Sequence, residues 1–99
     1  MINRSLIIKN DIYHYSMTIE ELNNKTTITH NIISSNVIKY RQKKEYSQLQ
    51  LALEIGLTGN AFIARAEKRV KNAHFNIEHL VKIAYVLEID ICELLKEDI

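Results

Sequence analysis

The chain has 99 residues, of which 46% are apolar and 25% charged, with a net charge of +1, as expected of an ordinary globular protein of one domain plus a short extension. No apolar run approaches the ~18–20 residues needed to span a bilayer, and the start lacks the long apolar core of a secretory signal. Cys92 is the single cysteine and cannot form an intramolecular disulfide, so the cytoplasm is the expected compartment.

In residues 1 to 30, Leu6-Ile7-Ile8 and Ile12-Tyr13-His14-Tyr15 flank Asn10-Asp11, a pattern that suits a hairpin or one extended arm. Thr18 with Glu21, and Met17 with Leu22, mark a short helix over about 18 to 24. Ile33, Val37, Ile38 and Tyr40 indicate a separate helix over 32 to 44. Ser47 and Gln50 form a capping-box pattern, with Tyr46 and Leu51 as its hydrophobic staple. Leu51, Ala52 and Ile55 give that helix an apolar stripe, and Gly56 ends it. Thr58 opens the next helix, with Leu57 and Phe62 as staple, Phe62, Ile63 and Ala66 inward, and Asn60, Ala61, Ala64, Arg65 and Lys68 outward. Asn76 caps a further helix whose expected buried stripe is Ile77, Leu80, Ile83, Ala84 and Leu87. Asp90, boxed by Glu93, starts a last short one. The expected fold is all-α, with five helices in residues 31 to 99 and an extension over 1 to 30.

Charge is unevenly spread. Lys39, Arg41, Lys43 and Lys44 face only Glu45 in one block, and Arg65, Lys68, Arg69 and Lys71 face only Glu67 in a second, whereas residues 78 to 99 are acidic. Such runs are usually solvated surface. They carry meaning only if the two basic blocks fold onto one face.

The residues Ile38-Lys39-Tyr40-Arg41, Ser47-Gln48, Leu51-Ala52, Ile55-Gly56-Leu57-Thr58, Arg65-Ala66-Glu67, Leu80, Ile83-Ala84, Leu87 and Glu93-Leu94-Leu95 together resemble the helix-turn-helix family of lambdoid phage repressors, Cro proteins and their xenobiotic-response-element relatives. The match covers about two-thirds of the chain. It implies a five-helix repressor-like domain and a homodimer that binds double-stranded DNA and represses transcription. It implies a structural ion pair between Arg41 and Glu67, and a DNA-backbone contact from Gln48, where a helix N-terminus suits phosphate. The helix over about 58 to 68 would lie in the major groove. There, Asn60 suits adenine and Arg65 suits guanine or phosphate, whereas Ala61 and Ala64 offer only methyl contact and Gly59 no side chain. Thr58 starts this helix. Lys68, Arg69 and Lys71 follow as phosphate contacts.

Three departures from the family pattern stand out. Gly56 to Glu67 spans one residue more than is common, Glu45 replaces the glycine that usually ends the first helix, and no glycine follows Glu67. His14, His30, His74 and His79 lack the spacing of a metal motif, Cys92 is expected to be semi-buried, and no nucleophile signature or phosphate loop is present. No enzyme activity, cofactor or metal is expected. Residues 1 to 30 hold too few cations for a minor-groove arm and read as a dimer or partner contact. The second reading is an antitoxin-type module that neutralises a partner protein through that arm or through the acidic C-terminal helix.

Overall fold

The computed structural model describes residues 16 to 97. Four α-helices are present, α1 (Ile19–Lys43), α2 (Gln48–Glu54), α3 (Ala61–Lys68) and α4 (Ile77–Leu87), with 3-10 turns at Val70–Asn72 and Ile91–Leu95 and no strand among the described residues. The all-α expectation holds. The fifth helix does not, because the segment after Asp90 closes as a 3-10 turn. The Asp90 side chain accepts from the Cys92 N–H at 2.8 Å, while Glu93, expected to complete a box, turns instead to the Tyr40 hydroxyl at 2.9 Å and Lys96 at 2.7 Å. The expected hairpin or arm before Ser16 lies outside the described residues.

The largest difference from expectation is α1. The two helices read at 18 to 24 and 32 to 44 are one helix of 25 residues, which runs straight through the boundary at residue 30. Nothing in Lys25 to Asn31 breaks a helix, since the stretch holds neither proline nor glycine. Thr26 and Thr29 return their hydroxyls to the carbonyls of Leu22 and Lys25, both at 2.9 Å, and so stay within the helical ladder. Thr18 caps the start through the reciprocal box with Glu21.

Packing changes along α1 where the backbone does not. Residues 16 to 29 are all exposed, and burial begins at Ile33. From there Ile33 and Val37 meet Leu51, Ala52 and Ile55 near α2, Ile63 and Ala66 of α3, Leu80, Ile83, Ala84 and Leu87 of α4, and Leu94. Two buried polar side chains tie α1 into this core. Ser34 donates to the Ala66 carbonyl at 2.8 Å, and Asn36 donates to the carbonyls of Leu94 and Lys96 at 2.9 and 2.8 Å. Unpaired, each would carry a desolvation cost of about 1–3 kcal/mol.

Three helices end in the same way. Glu45, Gly56 and Glu88 have φ of 62°, 92° and 60° after α1, α2 and α4. In each case the following N–H reaches back across the turn: Tyr46 to Arg41, Leu57 to Ala52 and Ile89 to Ala84. These are Schellman closures, in which the left-handed residue is ordinarily glycine. Only α2 has one. Ile77, expected in the buried stripe of α4, is 72% exposed. Phe75, two residues earlier and before the cap of α4, is buried and, with Phe62 edge-on at 5.7 Å, closes the core at that end, which leaves Ile77 outside the rim. Cys92, expected to be semi-buried, is exposed.

Candidate nucleic-acid interface

Helix α2, the turn at Gly56 and helix α3 form the central unit. Ser47 caps α2 with Gln50 in a reciprocal box, and Gly56 supplies the left-handed turn. Thr58 does not open α3. The chain bends through residues 58 to 60, and the helix begins at Ala61 with Asn60 as its N-cap. The reason lies in what anchors α3 to the core. Ile63, Ala66 and Glu67 are buried and set the helix's rotation, so the one extra residue between Gly56 and Glu67 is taken up in the turn.

That phase leaves a defined outer edge. Thr58, Asn60, Ala61, Arg65 and Lys68 are exposed, and Gly59 and Ala64 are half-buried. The Asn60 side chain is exposed and makes no capping hydrogen bond to its own helix. Arg65 and Lys68 lie in the last turn of α3, where cations suit the helix dipole.

The orientation of α3 is held by a buried charge cluster. Arg41 and Glu67 pair in bidentate fashion, Nε to Oε2 at 2.7 Å and Nη2 to Oε1 at 3.0 Å, with side-chain exposures of 10% and 3%. The third guanidinium nitrogen, Nη1, donates to the Tyr46 carbonyl at 2.9 Å. Gln48 donates from Nε2 to Glu67 Oε1 at 2.9 Å. One carboxylate therefore joins the end of α1, the start of α2 and the inner face of α3. Gln48 is thereby held at the N-terminus of α2 beside α3, an arrangement the sequence motifs did not reveal.

The cations around this edge divide into two groups. Arg69 follows α3 in the left-handed region at φ 58°, and its guanidinium turns to Asn31 Oδ1 at 3.0 Å and to the carbonyls of Asn72 and Ala73 at 3.2 and 3.1 Å. Lys71 and Asn72 are also left-handed, at φ 51° and 65°. Three such residues without a glycine form a strained loop, which the Arg69 clamp and a 2.9 Å contact from His74 Nδ1 to the Asn72 carbonyl hold in shape. Arg69 is thus a strut between this loop and α1, and Lys71 is exposed beside it. Lys44 pairs with Glu88 at 3.3 Å. Arg65 and Lys68 remain the exposed cations on α3 itself.

The four histidines of the sequence place three within the described residues. His30 and His74 stack at 4.2 Å, and His79 closes the cap of α4 by accepting from the Asn76 N–H at 3.0 Å. Burial first, then His74 and Arg69 nearby, hold the His30 pKa below its ordinary value. Among the described residues no group of three or more metal-ligating side chains converges. No helix there is long and apolar enough to cross a membrane.

No protein-family model and no curated protein matches the chain. Among solved structures it is similar to the N-terminal DNA binding domain of SinR from Bacillus subtilis, with 28% identity and a TM-score of 0.61, over 70% of this chain and 97% of that one. The capped α2, the glycine turn, the buried arginine–glutamate pair and this likeness point the same way: the chain carries a helix-turn-helix domain that resembles those of the Cro and phage-repressor type.

Proposed function

We propose that this chain binds double-stranded DNA as a homodimeric transcriptional repressor in the cytoplasm, with α3 in the major groove. The observation that carries the reading is the exposed edge of α3, locked in one orientation by Glu67, on a domain similar to the DNA binding domain of SinR. Asn60 is the adenine reader and Arg65 reaches guanine or phosphate, while Ala61 and Ala64 touch thymine methyl groups. Thr58 and Gly59 bring the turn close to the backbone. Gln48, held beside α3 by Glu67, keeps its second N–H to donate to phosphate, and Lys68 adds a phosphate contact. Lys71 is an outer phosphate contact, and Arg69 acts through the loop it holds. So few base-reading side chains leave much of the selectivity to DNA shape. No enzymatic step and no cofactor belong to this reading.

Selection of sites from random duplex DNA, followed by titration of the winner at several salt concentrations, tests it. The expected winner is palindromic, with affinity falling steeply as salt rises. Asn60→Ala weakens that site by about 1–3 kcal/mol and relaxes one base position. Lys68→Ala weakens all sequences alike and lowers the salt slope by about 1. Absence of any enriched site sinks the reading.

A further inference from the structure

The core-facing line of α1 does not stop where the core stops. Val37 and Ile33 are buried, and the same helical face continues through Thr29, Thr26 and Leu22 to Ile19, at spacings of three and four residues. Ile19 is 72% exposed and Leu22 43% exposed, and a groove lined by Leu22, Lys25, Thr26, Thr29 and His30 runs along this face. The first three turns of α1 therefore overhang the domain with an apolar face and nothing beneath it among the described residues.

This stretch is also a poor helix by composition. From Asn23 to Asn31 every residue except Lys25 is β-branched, an asparagine or a histidine, each disfavoured relative to alanine. Such residues propagate a helix at a cost, and the core offers no packing to offset it before residue 30.

The charges indicate what supplies that support. The tip of the overhang is acidic, with Glu20 and Glu21 exposed in its first turn, Glu21 bonded to the Thr18 cap. The wall at the root of the overhang is basic: Arg69 is bonded to Asn31, and Lys71 is exposed beside it. The midpoint between Glu20 and Asn31 falls between Lys25 and Thr26, close to the middle of the segment. An antiparallel copy of the same helix would therefore set its acidic tip against this basic wall.

We propose that residues 19 to 31 of α1 pair antiparallel with the same segment of a second copy, about a two-fold axis near Thr26, with each acidic tip against the other copy's Arg69–Lys71 corner. Such an isologous contact is self-complementary, as two-fold symmetry requires. It rests on the homodimer of the proposed function and names its surface.

The test uses the full chain with Cys92→Ser, so that introduced cysteines stand alone. Thr26→Cys, near the axis on the overhanging face, is expected to form a disulfide-linked dimer under mild oxidation, and Asn24→Cys, on the opposite face, is not. Leu22→Glu raises the dimer dissociation constant in sedimentation by at least about tenfold, without unfolding the domain, because Leu22 is outside the core. Glu20→Lys raises it about two- to fivefold, and adding Lys71→Glu restores it. A monomeric chain, with the groove covered by residues 1 to 15 or by a different protein, overturns the proposal. So does a dimer that ignores Leu22→Glu. A cross-linked dimer that selects no DNA site supports the pairing and refutes the DNA reading. Selected DNA bound by a chain that does not cross-link refutes the pairing alone.

Discussion

Removing either partner of the Arg41–Glu67 pair should cost more than removing both. With Glu67→Leu, the guanidinium stays buried, and of the acceptors described above only the Tyr46 carbonyl remains. With Arg41→Met, the carboxylate stays buried, and of the donors described above only the Gln48 amide remains. Breaking a buried pair from one side costs about 3–5 kcal/mol, and the 10% exposure of Arg41 places each variant near the lower figure. The double variant removes both charges and replaces them with apolar side chains of similar bulk. Its remaining cost is the lost partners of the Tyr46 carbonyl and the half-buried Gln48 amide, together about 1–2 kcal/mol. The double variant should therefore be more stable than either single one by about 1–2 kcal/mol, the difference of those figures. Urea unfolding of the four proteins measures this directly. In thermal scans, each single variant should fall by roughly 12–24 °C, at ~4–8 °C per kcal/mol for a domain of this size. A double variant less stable than both single ones would refute the assignment of the cluster as charges held by each other.

The left-handed helix ends give a prediction of the opposite sign: Glu45→Gly and Glu88→Gly should each stabilise by ~1 kcal/mol, with Glu88 gaining slightly less because it gives up the exposed Lys44 contact. Denaturant midpoints check this, and any loss at Glu45 would contradict it. Asn36→Ala should cost about 2–3 kcal/mol and speed amide exchange in residues 91 to 97 more than elsewhere, because it frees the carbonyls of Leu94 and Lys96 together. The histidines set a pH dependence. His30 and His79 are both held below their ordinary value, chiefly by burial, so the unfolded chain binds more protons than the native one. The stability they contribute is full above the ordinary histidine pKa near 6.5 and is lost as pH falls through and below it. Unfolding measured at pH 7.5 and pH 5 should show this loss, and His30→Phe should shrink it; an unchanged difference would acquit His30.

Short-range chemistry was legible in the sequence wherever one residue type had one local use. The boxes at Thr18 and Ser47, the cap at Asn76 and the turn at Gly56 each involve residues within four positions of one another, and all four are present. Start positions failed where a distant anchor overrode a local one. Thr58 is a good cap by type, but Ile63, Ala66 and the Glu67 cluster fix the phase of α3, and the extra residue had to be absorbed before Ala61. The same holds for Glu93, which was expected to complete a local box and is instead bonded to Tyr40, 53 positions away. At the candidate interface, periodicity placed Ala61, Arg65 and Lys68 on the outside of α3, where they are exposed, while Ala64, expected with them, is half-buried. The sequence could not show that Gln48 shares Glu67 with Arg41, or that Arg69 is turned inward to Asn31, because both depend on which side chains the tertiary fold brings together.

The reading of α1 failed for a different reason, one that bears on function. Composition from Asn23 to Asn31 argues against a helix, and two separate helices were the natural inference. Propensity is a weak prior, however, and here the flanks outweigh it: a capping box fixes one end and the buried stripe from Ile33 fixes the other. A helix already nucleated at both ends crosses a poor stretch at the propagation cost alone. The cost is still real, and a chain that needed only a DNA-binding domain could begin near Ile33 without incurring it. That the helix continues outward for three further turns, carrying the core-facing line with it, is best accounted for by a face that is covered when the protein works.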